Sequence, residues 1–232
     1  MCGRFARKNT AAEIAKAFAV DAIKAEIEPA YNIAPTQDIL AIVANARGTR
    51  GLVALKWGLI PAWAKDPSIA SKLINARSET AHEKPSFKTS LRQQRCLIPA
   101  TGFYEWQKGS KQPVFIHCKD RELLAFAGLY SFWQSPEGER LATCSILTTS
   151  ANPKISKVHH RMPVILPSES HALWLDKSVQ DPELLQPLLQ AYPAEQTDYH
   201  LVNPQINKVT YNQPQAMDEY TEDLGFLADL SQ

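Results

Sequence analysis

Apolar residues recur along the chain mainly in short runs separated by polar turns, and only a few stretches show the 3.6-residue period of a helix. Runs rich in β-branched and aromatic residues predict strands over residues 38–44, 52–57, 96–99, 103–107, 114–118, 123–130, 142–149 and 164–166. Helical patterns cover residues 10–20 and 86–94, begin again at Ser168, and follow Asp181. The pattern therefore predicts a β-rich protein with four helices.

Local signals place the starts of two of these helices. Thr10 and Glu13 have the spacing of a capping box, in which each side chain bonds the other residue's backbone N–H. Asp181 is a suitable N-cap, and Pro182 follows it at the first helical position, where a proline is tolerated. Both starts are predicted from neighbouring residues alone.

The connections between strands indicate how the strands pair. Many are too short for a helical crossover, and the segments 108–112 and 134–140 contain glycine and suit hairpins. We therefore expect an α+β fold with an antiparallel or mixed β-sheet core and peripheral helices. A single domain is expected over residues 1–211, with residues 212–232 as an acidic, loosely ordered tail.

Composition narrows the class of protein. The chain has 232 residues, of which 44% are hydrophobic, as in ordinary globular proteins. It has no apolar run of about 18 residues and no signal-peptide pattern, so we expect a cytoplasmic protein without a membrane partner. The net charge of +1 hides an asymmetry: residues 1–181 carry 24 basic and 16 acidic side chains, and residues 182–232 carry 1 and 8. A cationic surface for a polyanion is thus compatible with the sequence.

The four cysteines do not indicate a metal or disulfide framework. They lie at positions 2, 96, 118 and 144, without CxxC pairs or histidines at zinc-binding spacing. Cys96, Cys118 and Cys144 lie in apolar runs and are predicted to be buried small residues. We therefore expect no metal and no cofactor.

Cys2 carries the most distinctive chemistry of the chain. Removal of Met1 would leave an α-amine and a thiol on one residue, with ordinary pKa values of about 7.7–8.0 and about 8.5. Such a 1,2-aminothiol condenses with an aldehyde: the amine forms an imine, and the thiol then closes a thiazolidine ring. The alternative is that Cys2 is an incidental residue at a frayed chain end.

Five separate segments concentrate catalytic residue types or unusual local character. They are Cys2-Gly3-Arg4, Tyr31-Asn32-Ile33-Ala34-Pro35, Asn75-Ala76-Arg77-Ser78-Glu79, Gly102-Phe103-Tyr104-Glu105-Trp106 and His159-His160-Arg161-Met162-Pro163. Two further segments are Trp57-Gly58-Leu59-Ile60-Pro61 and Ile146-Leu147-Thr148-Thr149. Together they closely resemble the SRAP family, named for SOS-response-associated peptidases, which comprises abasic-site processing proteins that crosslink to DNA. The resemblance runs from Cys2 to about Asn207 and implies a barrel-like β core.

The resemblance implies an abasic-site crosslinking enzyme. Met1 would be removed, and Cys2 would attack the ring-opened aldehyde of an abasic site in single-stranded DNA, forming a thiazolidine that shields the lesion. Asn75 would orient Cys2 and the sugar, Glu105 would shuttle protons, and His159 would help to open the sugar ring, with His160 the weaker candidate. From the residues alone, structural roles for Asn75, Glu105 and His159 stay open.

The same motifs carry the candidate DNA contacts. Arg4, Arg77 and Arg161 are assigned to phosphates, which guanidinium groups bind in a bidentate manner. Trp63 could stack on a base beside the lesion. Asn32 and Thr149 complete the predicted DNA-binding set. Some relatives carry paired tryptophans in this loop, whereas this chain has only Trp63, which leaves a preference for strand junctions open.

Two other functions fit part of the sequence. Cys2 could be the nucleophile of a thiol peptidase or amidase that also releases Met1 by autocatalysis, or the protein could read single-stranded or modified DNA without a covalent bond. The crosslinking interpretation is preferred because an aminothiol matches an aldehyde better than an amide. A binder of single lesions has no need for a dimer, so a monomer is expected.

Overall fold

Residues 2–221, which the computed structural model describes, form thirteen strands and four α-helices. The strands are β1 (Phe5–Arg7), β2 (Ala22–Ile23), β3 (Ala30–Ile33), β4 (Asp38–Ala44), β5 (Arg50–Trp57), β6 (Asn75–Arg77), β7 (Arg95–Ala100), β8 (Gly102–Trp106), β9 (Pro113–Cys118), β10 (Leu124–Gln134), β11 (Arg140–Ser150), β12 (Arg161–Pro163) and β13 (Thr197–Leu201). The helices are α1 (Ala11–Ala17), α2 (Lys88–Gln93), α3 (His171–Leu175) and α4 (Pro182–Leu185). Short 3₁₀ helices, such as Pro67–Lys72 and Pro204–Asn207, lie in several connections.

Five strands close into a small mixed barrel in the order β11-β10-β7-β4-β5. Neighbours in this series pair antiparallel, and a parallel pairing of β5 with β11, at Lys56↔Thr143 and Trp57↔Cys144, closes the ring. The short strands β6 and β12 add to β11, and β2 adds to β5. As a result, β11 lies at the centre of the strand network.

A second sheet, in the antiparallel order β13-β9-β8-β1-β3, packs against the barrel. Aromatic rings form the contact: Phe5 of β1 meets Trp57 edge-on at 5.2 Å and Phe126 at 6.0 Å between ring centroids. A separate apolar core joins barrel strands to the helices through residues such as Ile14 and Trp174, both fully buried. The barrel is thus covered by a sheet in one region and by helices in another.

This architecture confirms the predicted α+β fold with a mixed, barrel-like β core and peripheral helices. The two predicted hairpins are also present, since β8 pairs with β9 and β10 pairs with β11. The run 164–166, however, does not form the predicted strand. Its backbone divides its hydrogen bonds between two strands: the Val164 N–H donates to Leu147 and the Leu166 N–H donates to Ala125, which leaves an isolated bridge at Ile165. The regular strand here is β12, three residues earlier.

The predicted tail begins inside an ordered part of the chain. The Asn212 side chain accepts hydrogen bonds from the backbone N–H groups of Tyr31 and Asn32, at 2.6 and 3.2 Å, and Ala216 is buried. The boundary at residue 211 stays a prediction, and residues 222–232 lie outside the described part. Within residues 2–221, no helix is both long enough and apolar enough to cross a membrane.

Candidate active site

Strand pairing brings four distant candidate residues into one region. Cys2 leads into β1, and β1 pairs with β8, which carries Glu105. Asn75 begins β6, and His159 lies two residues before the start of β12; both strands pair with β11. The site is therefore assembled by the junction of the barrel with the second sheet.

Asn75 holds the backbone of Cys2. Its Nδ2 donates a hydrogen bond to the Cys2 carbonyl oxygen at 2.9 Å, across a sequence separation of 73 residues. Its Oδ1 is buried and has no hydrogen-bond partner in the described structure. A buried acceptor without a partner costs about 1–3 kcal/mol, so this oxygen is well placed to accept a bond from a ligand.

Burial dominates the electrostatics of the Cys2–Glu105 pair. Cys2 is fully buried and Glu105 is 3% exposed. Burial raises the pKa of the Glu105 carboxyl, because the charged form loses its hydration. Burial, together with the nearby Glu105 carboxylate, also raises the pKa of the Cys2 thiol. Burial therefore favours a neutral Cys2 thiol, and it lets the Glu105 carboxyl keep its proton at a higher pH than usual.

His159 completes this cluster with a neutral imidazole. Its Nδ1 lies 3.8 Å from Glu105 Oε1, 3.1 Å from the Arg161 backbone nitrogen and 3.2 Å from the Arg161 carbonyl oxygen. Burial lowers the pKa of His159, which favours this neutral form. The ring of His160 packs beside it, with 4.3 Å between ring centroids.

Two residues predicted to contact DNA, Arg4 and Asn32, form hydrogen bonds with residues 206–211 instead. Arg4 is partly buried, and its Nη1 donates to Asn32 Oδ1 at 2.6 Å and to the Ile206 carbonyl at 2.9 Å. Asn32 is 2% exposed, and its Nδ2 donates to the carbonyl groups of Ile206, Lys208 and Tyr211. This placement favours a structural role for Asn32, and its contact with DNA stays a prediction.

Arg161 has a carboxylate partner that the sequence analysis missed. Its guanidinium binds Glu79 in a bidentate manner, at 2.6 and 2.8 Å, and donates to the Thr148 carbonyl at 2.6 Å. This ion pair lowers the pKa of the Glu79 carboxyl. Arg161 is 8% exposed, and Thr149 is 7% exposed beside it on β11. A phosphate would have to compete with Glu79 for Arg161. Glu79 stood in a recognised motif, but its partner lies 82 residues away.

The remaining DNA-binding candidates are accessible. Arg77 is exposed at the end of β6, two residues after Asn75. Trp63 is 59% exposed, and its indole Nε1 donates to the Pro85 carbonyl at 3.4 Å. Among the predicted DNA-binding residues, these two are therefore the most open to solvent.

Fold and site together define a class of protein. Its members have a small mixed β-barrel with a flanking antiparallel sheet, and an amide, a carboxyl and an imidazole surround a cysteine near the start of the chain. The chain belongs to the SRAP family, since the family model described as SOS response associated peptidase matches residues 1–209. This confirms the family resemblance derived from the motifs.

Similar proteins with curated names point to one kind of substrate. The chain is 44% identical to "Abasic site processing protein YoqW" of Bacillus subtilis, covering 95% of this chain and 100% of that protein. It is 34% identical to "Abasic site processing protein HMCES" of Gallus gallus, covering 82% and 66% respectively. A crystal structure of a protein from Bacteroides thetaiotaomicron shares the fold with a TM-score of 0.87 and 26% identity, covering 95% of this chain and 100% of that one.

Proposed function

We propose that this protein is an abasic-site sensor that crosslinks itself through Cys2 to the ring-opened aldehyde of abasic sites in single-stranded DNA. The observation that carries the proposal is the convergence of Cys2, Asn75, Glu105 and His159 from four distant segments. The names of the relatives support the same lesion as the substrate. The residue roles, the thiazolidine product and the single-stranded partner are part of the proposal.

The reaction begins with a protein from which Met1 has been removed. Ring opening of the abasic sugar removes the proton of the C1′ hydroxyl and delivers a proton to the ring oxygen, and we assign His159 to this exchange. The α-amine of Cys2 then adds to the C1′ aldehyde, and loss of one water gives an imine. Addition of the thiol sulfur to the imine carbon closes the thiazolidine, and the thiol proton ends on the ring nitrogen. The adduct therefore has the summed mass of protein and DNA minus one water.

Glu105 is suited to the proton transfers in these reaction steps. A carboxyl with a raised pKa can donate a proton to the departing water and accept one from the thiol during ring closure. Asn75 keeps the Cys2 backbone in place, which limits the positions that the new amine can take. Arg77 and Trp63 are the exposed candidates for phosphate and base contacts.

The raised pKa of the Cys2 thiol favours this route over a thiol peptidase. A peptidase nucleophile attacks as a thiolate, and such cysteines have lowered pKa values. In the crosslinking route the amine attacks first, so the thiol keeps its proton until the imine has formed. The monomeric state and a cytoplasmic site of action remain predictions.

Intact-mass spectrometry tests the proposal directly. The purified protein is measured before and after incubation with a single-stranded oligonucleotide carrying one abasic site. We expect a protein lacking Met1 that gains the mass of the DNA minus one water, and no gain with undamaged DNA or with Cys2→Ala. Cys118→Ala is the matched control, since Cys118 is also a buried free cysteine. A processed protein that stays unmodified would sink the proposal, and cleavage of peptide substrates would then favour the peptidase.

A further inference from the structure

A row of cations leads away from the candidate site along one stretch of chain. Helical hydrogen bonds join successive turns here: the Lys84 N–H donates to the Thr80 carbonyl at 3.0 Å, and the Lys88 N–H donates to the Lys84 carbonyl at 2.9 Å. Lys88 and Arg92 are four residues apart in α2, which places them on one face of that helix. Lys84 lies four residues before Lys88, in the hydrogen-bonded turn that leads into α2. We call these three residues the basic track.

The basic track faces solvent, and its side chains form no ion pair within the described part of the chain. All three side chains are exposed, whereas Phe87 and Leu91, which directly precede Lys88 and Arg92, are 7% and 2% exposed. No ion pair joins a track residue to any acidic group among residues 2–221, and the neighbouring Glu83 pairs with His82 at 3.3 Å. Four helical residues span about 6 Å along the axis. A regular row of unmatched cations has the charge pattern of a surface for a polyanion.

The track begins beside the site and passes an exposed aromatic ring. The Arg77 carbonyl accepts hydrogen bonds from the N–H groups of Thr80 and Ala81. The turns that lead to the basic track therefore start two residues after Asn75. The Trp63 indole donates to the carbonyl of Pro85, which lies between the first two track cations. Trp63 is therefore positioned where a strand leaving the site would reach the track.

A second aromatic surface lies at the far end. Gln93 and Gln94, which follow Arg92, line a cavity of about 520 Å³ together with Tyr130, Phe132 and Lys177. Phe132 is 60% exposed, and its ring meets Tyr130 edge-on at 5.6 Å. Exposed aromatic rings beside a line of cations are typical of surfaces that bind single-stranded nucleic acid by base stacking and phosphate neutralisation.

We propose that the basic track binds the phosphodiester backbone of the single strand that carries the lesion, beyond the abasic site, with Trp63 beside the first turn of the track and Phe132 beyond Arg92 as stacking surfaces. The inference rests on the proposed function, because that function supplies the strand. It adds a second binding region that lies outside the reacting residues.

Salt-dependent binding measures the track independently of the covalent reaction. In a Cys2→Ala background, which cannot crosslink, the variant Lys84→Gln/Lys88→Gln/Arg92→Gln is titrated against a fluorescent single strand long enough to extend past the site. Each lost phosphate contact removes about 0.7 from the slope of log affinity against log salt for single strands. We expect the slope to flatten by about 2 and the affinity at low salt to fall at least 10-fold, with little change for a short oligonucleotide that covers only the lesion.

The control removes the same charge elsewhere. Lys16→Gln/Lys24→Gln/Lys108→Gln changes three exposed lysines in α1, after β2 and in the β8–β9 hairpin. Thermal unfolding of both triple variants checks that each one folds. The single variant Phe132→Ala should weaken binding of the long strand about 10-fold. The proposed role of the basic track would be overturned by any of three results: an unchanged salt slope in the track variant, an equal loss of affinity in the control variant, or an effect seen only when the DNA has duplex flanks. If the wild-type protein does not crosslink to the abasic site, but the triple track variant still flattens the salt slope, only the proposed function is overturned.

Discussion

Glu105 is a carboxyl group that the fold has removed from water. Its folded-state pKa is raised by burial above the ordinary value near 4.5. A carboxyl with a raised folded pKa binds its proton more tightly in the folded state than in the unfolded state. Its contribution to stability is fully present below the unfolded pKa and is lost as the pH rises through the folded pKa. The same burial that supports the proposed proton-transfer role of Glu105 therefore costs stability at neutral and higher pH.

Glu105→Gln should separate these two effects. The amide carries no charge, so we expect a higher unfolding temperature than wild type at pH 8 and a smaller difference near pH 4. Crosslinking should slow by roughly 10²-fold or more, the range for loss of a general acid–base. Calorimetry across pH and a timed gel assay give the two readouts. Glu122→Gln, at a side chain that is 81% exposed, is the control. A stability difference that does not change with pH would contradict the burial argument.

At the scale of elements, Gly58 joins β5 to the loop that leads to the site. Its φ is +130°, which L side chains rarely adopt, and a Cβ atom would lie 2.9 Å from the Ala70 carbonyl oxygen. Its N–H donates to the Cys144 carbonyl at 2.9 Å, where β5 meets β11. The loop after it carries Trp63 and continues to Asn75. This gives a structural reason for the glycine in the Trp57–Pro61 motif.

Gly58→Ala should strain this junction. We expect a loss of at least 1–3 kcal/mol in the free energy of unfolding, the rough cost of one strained backbone residue, and weaker DNA binding because the Trp63 loop shifts. Denaturant unfolding and fluorescence titration measure the two effects. Gly51→Ala, within β5, should be much milder, because its Cβ would meet atoms only at 3.9 Å or more. Equal losses for the two variants would argue against this account.

At the scale of the whole molecule, Asn32 of β3 joins the second sheet to residues 206–211. Its amide donates to carbonyl groups 174 to 179 residues away, at Ile206, Lys208 and Tyr211. Asn212 returns hydrogen bonds to the backbone of β3. The segment after β13 is thus fastened to the second sheet, beside Arg4 and β8.

Asn32→Ala tests whether this residue fastens the fold or binds DNA. We expect a loss of about 1–3 kcal/mol in the free energy of unfolding, because buried carbonyl groups lose their donor. Hydrogen exchange should speed up around residues 206–212, and affinity for single-stranded DNA should change less than twofold. Asn45→Ala, at an exposed turn, serves for comparison. Unchanged stability with a large loss of DNA affinity would instead support the predicted DNA contact.

Features governed by neighbouring residues could be predicted from the sequence. The Thr10–Glu13 capping box is present, and α1 starts where the capping box predicts, although it ends at Ala17 rather than at residue 20 because the backbone leaves the helical region, with Ala19 at a φ of +49°. The main strands and the two hairpins were also predictable, because side-chain alternation and turn residues act over a few positions. The strands β1, β2, β3 and β6 have four residues or fewer, too few to show a period, so they were not predicted. The strands β12 and β13 were not predicted either.

The sequence by itself determined the fold class, the aminothiol chemistry open to Cys2 and the set of motifs that identify the family. Only the tertiary structure decided the parallel closure of β5 on β11, the bond from Asn75 to Cys2 and the ion pair between Arg161 and Glu79. The reason is physical: hydrogen bonds within a turn or helix are set by nearby residues, whereas partners 73 or 82 residues apart meet only when the whole core packs. The pKa shifts of Cys2 and Glu105 arise in the same way, since burial is a property of the assembled molecule.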